Sequence, residues 1–148
     1  MSALFKPMRI FIVAVMIFVT ANVAKAEDAV QVDSAKDAVL QAVHTWLQLV
    51  DREKYSESWE GASAYFKAAV TQEDWTHSLS AVRKPLGNTL MRKLTVSEFL
   101  TELPGAPDGN YLVVLYETVF QNKQHAVETV TFMQEADGHW RVSGYFIK

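Results

Sequence analysis

The sequence predicts an α+β fold, with three N-terminal helices packed on a four-stranded antiparallel meander. Three observations carry this. Apolar residues recur at helical spacing up to residue 86, and from Asn88 onward the period drops to two. The later segments are separated by the turn-forming clusters "PGAPDG", "NKQ" and "DG".

The first 26 residues stand outside that fold. "MSALFKPMRIFIVAVMIFVTANVAKA" has a basic start at Lys6 and Arg9, an apolar run from Ile10 to Ala21, and a small-residue end at Ala24-Lys25-Ala26. This is the pattern of a secretory signal peptide cleaved before Glu27. The run falls short of the roughly 20 apolar residues that cross a bilayer, so no stable membrane insertion is expected after cleavage. Residues 27–33 read as a short flexible leader and 34–148 as a single domain. The expected destination is exported, periplasmic or secreted.

Removing residues 1–26 from 148 leaves 122, enough for one core. It also takes away three of the 14 basic residues and none of the 17 acidic ones, leaving a net charge of about −6. That balance argues against nucleic acid and anionic membrane surfaces as partners. The sequence contains no cysteine, which excludes disulfides and thiol chemistry despite the exported destination.

The first helix is expected to begin at Ser34, which can cap the open backbone amides, with Asp37 in the first turn. Val39, Val43, Trp46, Leu47 and Val50 form its apolar stripe, and His44 lies on the solvated face. The second helix covers "KYSESWEGASAYFKAAV", residues 54–70. Tyr55, Trp59, Ala62, Phe66, Ala69 and Val70 share one stripe at the 3.6-residue period, with Tyr65 at its margin. Aromatic packing is the reading of this stripe, each Trp or Phe being worth roughly 2–3 kcal/mol on burial. Tyr55 and Trp59 also carry donors that need partners, which leaves room for a pocket. Gly61 costs about 1 kcal/mol inside a helix and is a candidate interruption. The third helix starts at Thr71 with Asp74 three residues on, and is expected to bury Trp75, Leu79, Val82 and Leu86. Pro85 and Gly87 end it. His77 points to water, and Arg83 lies at the edge of the stripe.

Strands are expected over roughly 89–102, 110–121, 125–135 and 139–147. In the last hairpin, a three-residue loop ending in Gly138 sets Phe132 opposite Val142 and Gln134 opposite Trp140. That register gathers Val130, Phe132, Trp140, Val142 and Gly144 on the helix-facing side, and turns even-numbered positions inward generally. Glu128 then faces the core, and so does Arg92 with Leu90, Leu94 and Val96. Neither charge should be buried alone. The expectation is that Arg92 and Glu128 pair across the inner face, with the Tyr116 hydroxyl nearby. The opposite face carries Val113, Leu115, Val119, Val127 and Met133, where a solvated face would alternate to polar residues. Either other elements of the chain cover this outer face, or two copies pack there as a homodimer.

"WLQLVDREKYSESWE", Trp75 with "VRKPLG" after it, "MRKL", "ELPGAPDGNY", Phe120, "VETVTF" and "DGHWRVSGYFIK" together resemble the exported bacterial family known as domain of unknown function 4019. The resemblance covers about residues 36–148. It implies the nuclear-transport-factor-2-like, cystatin-like group of folds, in which helices pack into a curved antiparallel sheet shaped like a cone. Matching positions include Trp59, Arg83, Arg92, Tyr111, Glu128, Trp140 and Tyr145. The family has no established activity, so the resemblance names no catalyst. The wider fold group holds steroid isomerases and polyketide cyclases beside many binding domains, and fold analogy alone does not choose between them.

His125 and His139 sit at hairpin ends, and there is no HxxxH motif and no Ser-His arrangement. No metal or cofactor is expected, and "PDG" at 107–109 reads as a turn. The favoured reading is a non-enzymatic domain that binds a small molecule or an envelope protein. Its candidate pocket or buried polar cluster is Tyr55, Trp59, Arg83, Arg92, Tyr116 and Glu128. The alternative is a small isomerase- or hydrolase-like enzyme with Glu128 as base and Tyr116 or Tyr55 as hydrogen-bond donor. An enzyme would need an open cavity of roughly 300 Å³ or more reaching Glu128.

Overall fold

The computed structural model describes the backbone of residues 11–148 and side chains from residue 31 onward. The expected basic start of the signal peptide, Lys6 and Arg9, lies outside the described residues. The described residues divide into two compact units, with the boundary between Ala38 and Val39.

Among the described residues four helices precede four strands: α1 (Phe11–Asp51), α2 (Tyr55–Glu60), α3 (Ala64–Ala69), α4 (Gln72–Leu86), β1 (Thr89–Leu100), β2 (Tyr111–Phe120), β3 (Lys123–Gln134) and β4 (Trp140–Ile147). Helix α1 runs through Ser34 instead of starting there. No Gly or Pro lies between residues 11 and 51 to interrupt it, so the Ser34 cap is not used. The helix stops at a two-bond reversal in which Lys54 N donates to Leu49 O at 2.9 Å and Glu53 N to Val50 O at 3.1 Å. Glu53 takes the left-handed conformation, φ 58°, that this motif requires and that usually falls to Gly. The reversal leaves Asp51 as the last helical residue, above the sheet-facing stripe.

The expected second helix is two. Gly61, Ala62 and Ser63 separate α2 from α3, and Ser63 caps α3 by accepting from Phe66 N at 3.1 Å. Ser63 N also donates to Val142 O, pinning this link to β4. Thr71 caps α4 by accepting from Asp74 N, and Gly87, at φ 72°, ends it.

The strands form one sheet in the order β1-β2-β3-β4, all neighbours antiparallel. Phe132 faces Val142 and Gln134 faces Trp140, as the hairpin loop predicts. On β2 and β3 the even positions do face inward: Leu112, Val114, Tyr116, Val130 and Phe132 are buried against Val43, Leu47, Val50, Trp75 and Leu79. Parity fails at register irregularities on β1 and β4. An extra residue at Thr95 turns Val96 outward opposite Leu115, and Leu90 is the extra residue of a further irregularity between Thr89 and Met91. On β4 the register skips Ser143, so Gly144 faces outward opposite Thr131 and Tyr145 turns inward opposite Val130. Leu90 and Val96 are accordingly exposed where the period placed them inside, and Leu94, Val82 on α4 and Ala69 are exposed too. Leu94 keeps its inward register position opposite Tyr116 but sits on an edge strand.

Candidate functional site

The polar centre of the molecule lies where the end of α1, α4 and one end of the sheet converge. Glu128, on β3, is 0% exposed and Arg83, on α4, is 5% exposed. Burying such groups is tolerable only where their charges and hydrogen-bonding atoms find partners. Here they do. Glu128 Oε2 accepts from Arg92 Nε at 2.6 Å and Thr118 Oγ1 at 2.6 Å, and Oε1 accepts from Arg92 Nη2 at 3.1 Å and the Tyr145 hydroxyl at 2.5 Å.

Arg92 is gripped from two sides. Opposite Glu128, its Nη1 donates to Asp51 Oδ2 at 2.8 Å and Nη2 to Asp51 Oδ1 at 3.0 Å. The flat guanidinium fork suits this double bidentate arrangement in a way a lysine could not. Asp51 Oδ1 also accepts from Arg83 Nη2 and Thr89 Oγ1, each at 2.9 Å. Arg83 stacks over the Phe120 ring at 4.6 Å, and its Nη1, 3.7 Å from Glu128 Oε1, has no hydrogen-bond partner among the described residues. Two cations and two anions thus form a neutral cluster.

The protonation states follow from these contacts. Burial alone would raise the Asp51 pKa, but the hydrogen bonds and charge of Arg92, with Thr89 and Arg83, outweigh it and hold the carboxyl below its ordinary value. Burial works against the charge on Arg92, and the hydrogen bonds to Asp51 and Glu128 overcome it, raising its pKa. Tyr145 is pushed up, first by burial and then by the negative charge of Glu128, so its proton stays on the phenol that donates to that carboxylate.

Of the residues singled out in the sequence, Arg83, Arg92 and Glu128 come together, and the Arg92–Glu128 pair forms. Tyr116 sits opposite Glu128 in the β2–β3 register, but among the described residues its hydroxyl makes no hydrogen bond to the cluster. Tyr55 is buried and borders a crevice of about 60 Å³ that Asp51 and Arg83 also line. Trp59 is elsewhere: its Nε1 donates to Val70 O at 2.8 Å and Lys67 lies over its ring. Larger hollows, of about 440 Å³ beside Met91 and His125 and about 500 Å³ along α4, have no Glu128 in their walls.

Sequence reasoning missed Asp51, Thr89, Thr118 and Tyr145. Thr118 was within reach, being a polar residue at an inward position of β2. Asp51 also carried a signal, since it follows Leu47 at i+4 on the buried stripe of α1. Tyr145 was named only by the family resemblance and not by strand parity, because the β4 bulge reverses its side. The tryptophans close the neighbouring core around another polar hub. Buried Ser58 accepts from Trp75 Nε1 through its hydroxyl and from Trp46 Nε1 through its carbonyl, both at 2.9 Å.

A helix-on-sheet α+β domain closed by a four-charge cluster around a buried glutamate is the class that fold and site define. The chain belongs to the family described as protein of unknown function (DUF4019), whose model matches residues 42–145 and so spans every residue of the cluster. No curated protein matches the chain.

Proposed function

We propose that this chain is an exported, non-catalytic interaction domain, built on the helix-and-sheet plan of the nuclear-transport-factor-2-like, cystatin-like group. The observation that carries this reading is the saturation of Glu128. Its two oxygens accept four hydrogen bonds, two from a guanidinium that a second carboxylate also holds. A general base must reach the proton it removes, within hydrogen-bond distance or through one water. Glu128 would have to break buried charge-assisted bonds to do so, and the 60 Å³ crevice beside Asp51 is far below the roughly 300 Å³ of ordinary ligand sites. Apolar surface that could meet a partner is found on the sheet, where Met91, Val96 and Phe146 are exposed.

The test is turnover. Protein recovered from an exporting cell, with its N terminus read by intact mass, is incubated with activated esters and enolisable ketones. Rates at buffer background are expected, with a mass that begins at Glu27. Turnover proportional to protein and lost in both Glu128→Gln and Tyr145→Phe would overturn the reading.

A further inference from the structure

We propose that the outer face of the sheet is covered by a second copy of this chain, related by a two-fold axis lying across the strands along one row of side chains. The proposal rests on the interaction-domain reading and names the partner. The row is Val96, Leu115, Thr129 and Phe146, which the register aligns across β1, β2, β3 and β4. Val96 is 42% exposed and Phe146 62%, and Met91 and Val127 extend the exposed apolar surface beside them. Strict alternation would have sent both Val96 and Phe146 inward with the other even positions. The bulges at Thr95 and Ser143 turn one apolar side chain outward at each edge of the sheet. A face left to water would not set three apolar side chains in one cross-strand row of four.

Size argues for a flat partner. Strands of 8 to 12 residues at about 3.3 Å each and four strands at about 4.8 Å spacing give a face of about 35 by 19 Å, on the order of 650 Å² before side-chain relief. A standard interface takes about 800 Å² from each partner, so the occupant must cover nearly all of this face. A second sheet packed about 10 Å away and within about 30° does that.

Charge selects the axis. The row on one side of the apolar row runs Lys93, Glu117, Val127, Lys148, and the row on the other runs Glu98, Val113, Thr131, Gly144. A two-fold along this row brings these two rows together, setting Lys93 against the partner's Glu98 twice and Lys148 over Gly144, which has no side chain to oppose it. It also places Phe146 against its own copy, an aromatic pair at the edge of the interface. A two-fold parallel to the strands would set Lys93 against Lys148 of the other copy, a like-charge contact that costs affinity.

Sedimentation of the exported protein should give the mass of a dimer. The chain has no cysteine, so one introduced thiol is unique. Phe146→Cys, treated with a short bis-maleimide, should join to itself, whereas the parallel axis would require Val96→Cys and Phe146→Cys in mixture. Lys93→Glu should weaken the dimer about tenfold or more, and the charge swap Lys93→Glu with Glu98→Lys should restore it. These surface substitutions touch no core contact, and unchanged melting of the monomeric forms checks that. A monomer at high micromolar concentration, a dimer indifferent to Lys93→Glu, or cross-linking only in the mixture would overturn the proposal. A monomer without turnover would remove the dimer and leave the interaction-domain reading standing.

Discussion

The molecule contains the same motif twice, an arginine held between two carboxylates, in opposite surroundings. At the α1–β3 junction Arg92 lies between Asp51 and Glu128. At the β3–β4 turn Arg141 lies between Glu135 and Asp137, with contacts of 2.5 and 2.8 Å that are as short. Geometry does not separate the two. Solvent does: Glu128 is sealed from water, whereas Asp137 stands on the turn with about half its side chain exposed. In water the charges lose little on separation, while in the core each is left with an unmet desolvation cost. The two clusters should therefore differ in worth far more than in shape, and substitutions can break or sharpen that contrast.

The largest effect is expected from Glu128→Gln. It leaves Arg83 and Arg92 sharing Asp51 alone, a buried positive imbalance that should cost about 3–5 kcal/mol. Urea unfolding with an unchanged slope would read this as a lower midpoint. An unchanged midpoint would mean that the cluster is wetter or less coupled than its contacts indicate. Next comes Tyr145→Phe, which removes one donor to Glu128 while keeping the ring against Trp46 at 5.3 Å. A hydrogen bond to a charged group supports a loss of about 1.5–3 kcal/mol by the same measurement. A neutral outcome would place the value of Tyr145 in its ring.

A smaller, pH-dependent effect belongs to Asp51. Its folded-state pKa is lowered, so the unfolded chain takes up its proton first as pH falls. The stability it contributes is present above the unfolded value of about 3.9 and is lost as pH falls below that through the folded value. The difference in stability between the parent and Asp51→Asn should be flat from neutral pH down to about 5 and should shrink below about 4. A difference that stayed constant into strong acid would show that Asp51 acts here through hydrogen bonding, without its charge.

How much of this could be read beforehand depends on whether parity survived. The four strands, the Phe132–Val142 register and the Thr71 cap follow from period and turn chemistry, which are local. The Arg92–Glu128 pair was legible because both residues lie on stretches of strand with unbroken alternation. Tyr145, Val96 and Phe146 were not, since a bulge adds one residue and reverses every side chain beyond it, and no residue type marks it. The split of the second helix was half visible. Gly61 marked the spot, but the pairing of Ser63 with Val142, which holds the break open, is a tertiary contact. Helix α1 shows the converse, a local cap signal at Ser34 overridden because the chain before it can also be helical.

The smallest effect is predicted for Arg141→Gln, and it is the sharpest check on the comparison. Arg141 donates to Glu135 Oε2 and to both oxygens of Asp137, whose pKa is lowered by the Arg141 hydrogen bond and then by the His139 backbone amide. Removing the guanidinium exposes two carboxylates to water that already reaches them. Glu135 keeps its other partner, the Ala64 amide at 2.6 Å, so the tie between the turn and the start of α3 survives. Melting should be nearly unchanged, and the small difference should fade at high salt, because charges in contact with solvent are screened over about 8 Å at physiological ionic strength. A loss matching that of Glu128→Gln, insensitive to salt, would mean that the bidentate geometry itself sets the worth of these clusters and that burial does not.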